Sequence, residues 1–318
     1  MIFALKYYKE IEFMNSISKQ ILDTYQVRKT KKQKEAFRKF ICDELSKEGY
    51  KVKEDKKGSS TNIIIGDENN SKIICTAHYD TCAMLPFPNL IVPNNLFGFI
   101  LSQLFVFIMM ILVSTVLGIM LYPFFEIIGI EIFTYSITIF IFLIWMFYGV
   151  ANKHTANDNT SGVITIIEAA LKMPHENRSE ICFILFDNEE IGLVGSSSFA
   201  KKNKNIKLAK LVLNFDCVSD GDNIFFFPSK QMKKNTKIND LIINSFISSN
   251  NKNISINNGF GIYPSDNLSF KKSYGICALK KGVFYYMNRI HTLRDTIFDE
   301  KNIDILSTGI CNITKKLQ

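Results

Sequence analysis

The chain has 318 residues, with 38 Lys and Arg against 30 Asp and Glu and a formal net charge of +8. That length is enough for one large α/β domain or two small ones, with a real core. The basic balance suits an anionic membrane surface or a nucleic acid, but no interleaved Arg and aromatic pattern and no zinc-finger or RNA-binding signature is present, so no nucleic-acid partner is expected.

Hydrophobic residues make up 47% of the chain, high for a protein this rich in lysine, so the apolar excess must be concentrated somewhere. Residues 8–28 and 31–48 read as two polar-faced helices. "GYKVKED", "TNIIIGD" and "SKIICTAHYD" read as three short strands. From Thr81 to Phe125 there is no charged residue, and after that only Glu126 and Glu131 interrupt the apolar run up to Val150. The first apolar segment, Leu96–Leu121, is roughly 39 Å long as a helix at 1.5 Å per residue, against a hydrocarbon core of about 30 Å. The second, Ile132–Val150, is just long enough. A pair of buried core helices would carry a polar stripe, and these segments carry none, which favours a membrane hairpin.

After the hairpin a soluble pattern resumes. "SGVITIIEAALKM" is helical, "EICFILFDNEE" is a buried strand ending in acids, and "IGLVGSSSFAKKN" is a helix. "AKLVLNFDC" and "NIFFFPS" read as strands, "NTKINDLIINSFISS" as a helix and "SYGICALKKG" as a strand. The Asn- and Lys-rich stretches 201–207 and 248–258 read as solvated loops. This alternation implies an α/β fold with a mostly parallel central sheet flanked by helices. The expected division is residues 1–88 as the N-terminal part of the domain, 89–151 as the inserted hairpin with spans at about 96–121 and 132–150, and 152–318 as the remainder.

The seven cysteines are odd in number, form no CxxC pair and several sit in apolar strand-like runs. Buried thiols in a reducing compartment are expected. The N-terminus has too short an apolar run for a signal peptide.

Three strand-like runs end in metal-capable residues, "CTAHYD", "FDNEE" and "NFD". Ligands of open α/β sheets gather at the carboxyl ends of strands, so His78, Asp80, Glu189, Glu190 and Asp216 can converge there. Asp158 opens a helix in "NDNTSG", and His291 lies in "RIHTLRDT". Imidazole and carboxylate donors suit zinc, and two ions about 3.5–4 Å apart can clamp both reacting oxygens of a hydrolysis. Glu189 and Glu190 are adjacent and point differently, so one can bind metal while the other acts as general base. Singly, each signal has a plainer reading: an H-x-D is more often structural, and paired acids before a helix often only favour its N-terminus.

The ordered set is far more specific. H-x-D, N-D-N-x-S-G, D-x-E-E-x-G-L-x-G-S, N-x-D, S-D-N and H-T-x-x-D-T, in that order, resemble the co-catalytic zinc aminopeptidase family, which also holds glutamate carboxypeptidases and glutaminyl cyclases. The resemblance covers about residues 60–80 and 151–300. It implies that His78 and Asp216 hold one zinc, Glu190 and His291 the other, and that Asp158 bridges both. It implies Glu189 as general base, Asp80 as the carboxylate orienting His78, and a cis bond after Asp158. The cofactor is then two Zn2+, another divalent metal being compatible with one of the positions. Two departures stand out. Asp158 follows His78 by 80 positions, far more than the family's spacing, and the excess is the apolar hairpin. Asn267 stands where the family commonly has His after S-D.

Tyr263 and Tyr286 are candidates to polarise an oxyanion, with simple packing the plainer reading for each. Asp295 suits either a second layer behind His291 or a helix cap. His154 and His175 are not expected in the chemistry. The expected function is a membrane-anchored zinc exopeptidase, first an aminopeptidase. The alternatives are a glutaminyl cyclase-like acyltransferase using one zinc and a non-catalytic membrane interaction protein. The expected partners are a peptide substrate, the lipid bilayer and a membrane protein that delivers peptides. The connection "YPFFEIIGIEIF" carries two Glu and no Lys or Arg, while basic residues begin at Lys153, so the positive-inside rule places the catalytic part in the cytoplasm.

Overall fold

The computed structural model describes residues 14–249 and 251–316. Its centre is a nine-stranded sheet built from β1 (Val52–Lys57), β2 (Ser60–Ile65), β3 (Ile73–His78), β4 (Ile181–Phe186), β5 (Leu211–Phe215), β6 (Asn223–Pro228), β7 (Asn253–Ile256), β8 (Ser273–Lys281) and β9 (Tyr285–Tyr286). The order is β1-β2-β4-β3-β5-β8-β6-β7, with β9 paired to β8. The middle of the sheet, β4-β3-β5-β8, is parallel. The flanks turn antiparallel where β1 and β2 form a hairpin, β2 joins β4 and β6 joins β8. The sheet is therefore mixed, with parallel pairing at the centre, where the site lies.

The central strands are buried on both faces, and period-two alternation sends their side chains into two cores. Ile63, Ile65, Ile73, Cys75, Phe183 and Leu213 face the larger core. It is closed by α1 (Ser16–Thr24), α2 (Lys31–Lys47), α5 (Gly162–Lys172), α8 (Thr236–Ser245) and α9 (Glu300–Lys315). Ile64, Ile74, Ile184, Phe186 and Val212 face the smaller core, closed by α6 (Val194–Lys202), α7 (Lys204–Ala209) and Phe270. The helices start where caps allow. Asn15 accepts the Ile17 N–H at α1, Thr30 and Gln33 form a capping box at α2, and Asp299 caps α9.

Several elements differ from the sequence reading. The first helix stops at Thr24, because the chain must extend to bring Arg28 inside; residues 8–13 of the expected helix lie outside the described residues. The 201–207 stretch contains α7, whose Ile206 closes the smaller core. The 248–258 stretch contains β7, an edge strand whose polar sequence reflects its exposure. The helix α9 carries Ile303, Leu306, Ile310 and Ile313 at helical spacing and packs that stripe into the larger core.

Between β3 and α5 the chain leaves the sheet as two antiparallel apolar helices, α3 (Leu96–Ile127) and α4 (Thr134–Tyr148). The first runs past Leu121 through Pro123, because Tyr122 to Phe125 continue the apolar pattern. The segments Leu96–Ile127 and Glu131–Tyr148 are long and apolar enough to cross a membrane, with mean hydropathies of 2.8 and 1.7. Only 11% and 17% of their most apolar windows are buried, the reverse of a core helix. The buried residues of the two helices are mostly small, Gly98, Ser102, Ser114, Gly118, Thr134 and Thr138, with Phe125 and Phe142 the large ones. Small residues let two helix backbones approach closely. Near the sheet, Leu85, Phe87 and Phe142 pack with Val106, Met109, Met110, Val113 and Met146.

The hairpin is rooted in the domain by hydrogen bonds. Ala83 and Ala151 form an antiparallel bridge, Met84 N–H donates to the Val150 carbonyl (2.8 Å), and Asn152 N–H donates to the Cys82 carbonyl (3.2 Å). Trp145 Nε1 donates to the Met84 carbonyl (2.9 Å). Lys29 Nζ donates to the Phe147 carbonyl at the end of α4 (2.8 Å), where a cation offsets the helix dipole.

Candidate metal centre

All seven candidate residues converge at the carboxyl ends of β4, β3 and β5. His78 is the last residue of β3 and pairs in register with Phe186 of β4. Asp80 follows it, Glu189 and Glu190 follow β4, and Asp216 follows β5. Asp158 lies in the irregular turn Ala156–Ser161 before α5, and His291 lies between β9 and α9.

Asp158 stands between the two imidazoles. Its Oδ1 is 3.4 Å from His78 Nε2, and its Oδ2 is 3.0 Å from His291 Nε2. Asp216 Oδ1 lies 3.4 Å from the same His78 nitrogen, and Glu190 Oε2 lies 3.4 Å from the same His291 nitrogen. Three groups of metal-capable atoms result: His78, Asp158 and Asp216; His78, Glu189 and Glu190; and Cys82, Asp158, Glu190 and His291. The peptide after Asp158 is cis, as the resemblance implies.

The motif residues that are not donors build the frame. Asn157 Oδ1 accepts from Ser219 N–H (2.8 Å) and Asp220 N–H (3.0 Å), while Asn159 Nδ2 donates to the Phe215 carbonyl (3.0 Å). The two asparagines thus tie the Asp158 turn to the loop after β5. Gly162 follows because a Cβ there would lie 2.2 Å from the Phe215 carbonyl oxygen. Asp80 accepts the N–H of Glu189 (2.9 Å) and of Glu190 (3.2 Å), and its carboxylate is 3.7 Å from His78 Nδ1. The Asp80 backbone carbonyl is nearer that nitrogen, at 3.1 Å. Asp80 therefore positions the two glutamates as well as facing His78.

Asp295 neither caps a helix nor hydrogen-bonds His291. Its carboxylate accepts the N–H of Asn157 (2.9 Å) and of Asp158 (3.0 Å), holding the turn itself. Tyr263 is buried, stacks on Phe227 and donates its hydroxyl to the Asp216 carbonyl (3.0 Å). Tyr286 lies in β9, with Lys280 over its ring. His154 and His175 join none of the donor groups. Asn267 packs against Gly275 on β8.

Two residues, Arg28 and Cys82, had no signal of their own in the sequence, and a third, Asp266, lay in a quoted motif without an assigned role. Arg28 is fully buried and reaches the Tyr79 carbonyl (2.5 Å) and Thr160 Oγ1 (3.2 Å). Burial lowers its pKa to about 10, against the charges of Asp80 and Asp158 that favour its cation. Asp266, in the S-D-N motif, is fully buried with neither carboxylate oxygen hydrogen-bonded, and burial raises it to about 7. Cys82 closes on the donors around His291.

The electrostatics ask for cations. Burial pushes Glu189 well above the usual carboxylate range, with Glu190 and Asp216 adding to the rise. Burial lifts Glu190 to about 8, with Asp158 adding to it. Burial disfavours the charged form of His291, but Glu190 and Asp158 outweigh it and hold the imidazole at about 9. Asp216 Oδ1 and Glu190 Oε1 are buried without a hydrogen-bond partner. Buried acceptors left unpaired are costly. Imidazole nitrogens and carboxylate oxygens gathered around these orphaned atoms fit divalent cations, with zinc the natural choice for this donor mix.

A mixed α/β sheet carrying such donors at the carboxyl ends of its parallel strands defines a zinc exopeptidase type of protein. Residues 146–313 match peptidase family M28, and the chain belongs to that family. No curated protein sequence matches the chain. Among solved structures, the LapA aminopeptidase of Legionella pneumophila is similar at 16% identity and a TM-score of 0.54, over 95% of this chain and 68% of that one. A Zn-dependent exopeptidase from Parabacteroides distasonis shares 16% identity and a TM-score of 0.55, over 94% of each chain. The glutaminyl cyclase of Porphyromonas gingivalis shares 13% identity and a TM-score of 0.56, over 95% and 96%. At these identities the likeness is one of fold.

Proposed function

We propose that the protein is a membrane-anchored, zinc-dependent exopeptidase, acting first of all as an aminopeptidase on peptides. The observation that carries this reading is the placement of Asp158, with one carboxylate oxygen facing His78 and the other facing His291. His78, Asp158 and Asp216 would hold one ion, and Asp158, Glu190 and His291 the other. When bound, the two ions supply Lewis-acid polarisation of a carbonyl and acidify water. Glu189 is the general base. Its buried carboxyl binds a proton readily, as a group that must accept one from water and pass it to the leaving amine requires. Asp80 positions the loop that carries it, and Asp295 positions the Asp158 turn.

The fold neighbours favour one second reading, a glutaminyl cyclase-like acyltransferase. A non-catalytic interaction protein is disfavoured, because every donor and Glu189 are present and converge. The two readings separate on substrate. Full-length protein in detergent with zinc is assayed on aminoacyl amides and on peptides with N-terminal Gln. Release of the first amino acid, abolished by chelator, is the expected result. Ammonia release from the Gln peptides with the chain left intact would move the assignment to the cyclase, and inertness toward both would overturn catalysis.

The same reading makes 89–151 an insert in an active-site loop, dipping into the bilayer and returning to the side it left. The exposed apolar surface of α3 and α4, the acidic connection between them and Lys29 at the end of α4 support a catalytic part on the cytoplasmic side. The root of the hairpin touches the site, because Leu85 N–H donates to the His291 carbonyl (2.7 Å). Substrates therefore arrive along the membrane, as peptides with an apolar segment or handed over by a membrane partner.

A further inference from the structure

Among the described residues, Cys82 is the member of the three donor groups that the proposed zinc chemistry leaves unused. It is 1% exposed, and its ligand atom lies within 4.8 Å of one each from Asp158, Glu190 and His291. Two independent features converge on this position. Glu190, whose side chain is 9% exposed, has Oε1 buried and without a hydrogen-bond partner. The backbone of Cys82 is fixed by the hairpin root: its carbonyl accepts Asn152 N–H, and Ala83 bridges Ala151 directly beside it. Leu85, three residues on, holds the His291 carbonyl. One short ladder thus carries the thiol and anchors the backbone of His291.

We propose that the Cys82 thiol is a ligand of the cation held by Asp158, Glu190 and His291. The proposal rests on the di-zinc reading above. It makes the two positions unequal. The position at His78 has three protein donors, all nitrogen or oxygen, the open arrangement of a catalytic site. The position at His291 has four, including a soft sulfur, the closed arrangement of a structural site, and it favours thiophilic ions over magnesium or calcium. Binding forms a metal–sulfur bond, and the thiol proton leaves to solvent. The membrane hairpin then supplies part of the metal centre through the residue at its foot.

The test uses full-length protein in detergent, stripped of metal and titrated with cobalt(II). Visible absorption reports cobalt bound at all, and a near-ultraviolet sulfur-to-cobalt charge-transfer band reports a thiolate ligand. The expected result is both signals in the unmutated protein. Cys82→Ser should lose the near-ultraviolet band, keep visible absorption and bind the second ion at least about tenfold more weakly, the lower end of what losing even an outlying partner of a metal ligand costs. X-ray absorption on the unmutated zinc form needs no variant. It should show a sulfur shell at about 2.3 Å beside nitrogen and oxygen at about 2.0–2.2 Å. Two bound ions with no sulfur shell, or a charge-transfer band that survives Cys82→Ser, would overturn the role of Cys82 and leave the di-zinc reading standing. Failure to bind cobalt or zinc would overturn both.

Discussion

Replacing Asp80 by Asn tests whether the site depends on how its glutamates are held. Asp80 touches no proposed substrate atom, yet one oxygen accepts the Glu189 N–H (2.9 Å) and the other the Glu190 N–H (3.2 Å). Asparagine keeps the shape and one acceptor, but its amide nitrogen must face one of the two N–H groups. One hydrogen bond to a charged acceptor is then lost, about 1.5–3 kcal/mol. If that cost falls on the transition state, it corresponds to roughly 10–150-fold in rate. This matches the ~10–100-fold typical of partners behind metal ligands. The assay is kcat and KM on an aminoacyl chromogenic amide, with zinc counted by mass spectrometry. The expected outcome is a fall in kcat, little change in KM, and weaker zinc at the Glu190 position. A kcat within twofold of the unmutated protein at full zinc occupancy would refute the argument.

Glu189→Gln should cut turnover by about 10²–10⁴-fold or more with both ions retained, whereas Asp158→Ala should lose metal together with activity; two tightly bound zinc ions in the latter would sink the bridging assignment. The metal-free protein should lose stability as pH rises. Glu190, raised from 4.5 to about 8, and His291, raised from 6.5 to about 9, both bind a proton more tightly folded than unfolded, so their contribution is whole below those lower values, falls as pH rises, and is lost once pH has passed about 8 and 9. Melting with chelator at pH 6 and pH 9 checks this: a melting temperature that holds or rises would contradict it, and saturating zinc, which needs the deprotonated ligands, should remove the loss. For topology, a cysteine placed at Gly129 should react with an impermeant reagent on intact cells and one at Lys233 should not; the reverse pattern overturns the cytoplasmic placement.

Four of the donors were legible because each sits where an apolar strand gives way to polar residues. "CTAHYD", "FDNEE" and "NFD" place His78 at the end of β3, and Glu189, Glu190 and Asp216 just beyond the ends of β4 and β5. The register of three parallel neighbours then makes their meeting a matter of geometry. Residues that act through the backbone of others were not legible in this way. Asp295 pairs with N–H groups 137 and 138 positions away, and Arg28 with Thr160 across 132. The motif marks Asp295, but nothing local tells which partner topology brings to it, and nothing marks Arg28 at all. The parallel centre of the sheet was legible from its doubly buried runs, whereas the antiparallel flanks and β7 depend on pairing partners that a polar edge sequence does not announce. The helix α9 carries a clear apolar stripe that a reading led by motifs does not use.

Why an apolar helical hairpin should interrupt the loop between two proposed ligands follows from what that loop must do. The chain leaves β3 just after His78 and must return to deliver Asp158 between the imidazoles. A hairpin of two packed helices keeps its ends close, and here the ends are joined by the Ala83–Ala151 bridge and the flanking hydrogen bonds. The insertion therefore adds little slack to the Asp158 turn, which Asp295, Asn157 and Asn159 pin independently. The length of the insert is then nearly free of consequence for ligand geometry, while its root is not. Changes in the outer halves of α3 and α4 should alter anchoring and spare the centre, and changes at 82–85 or 150–152 should reach Asp158, His291 and Cys82 together.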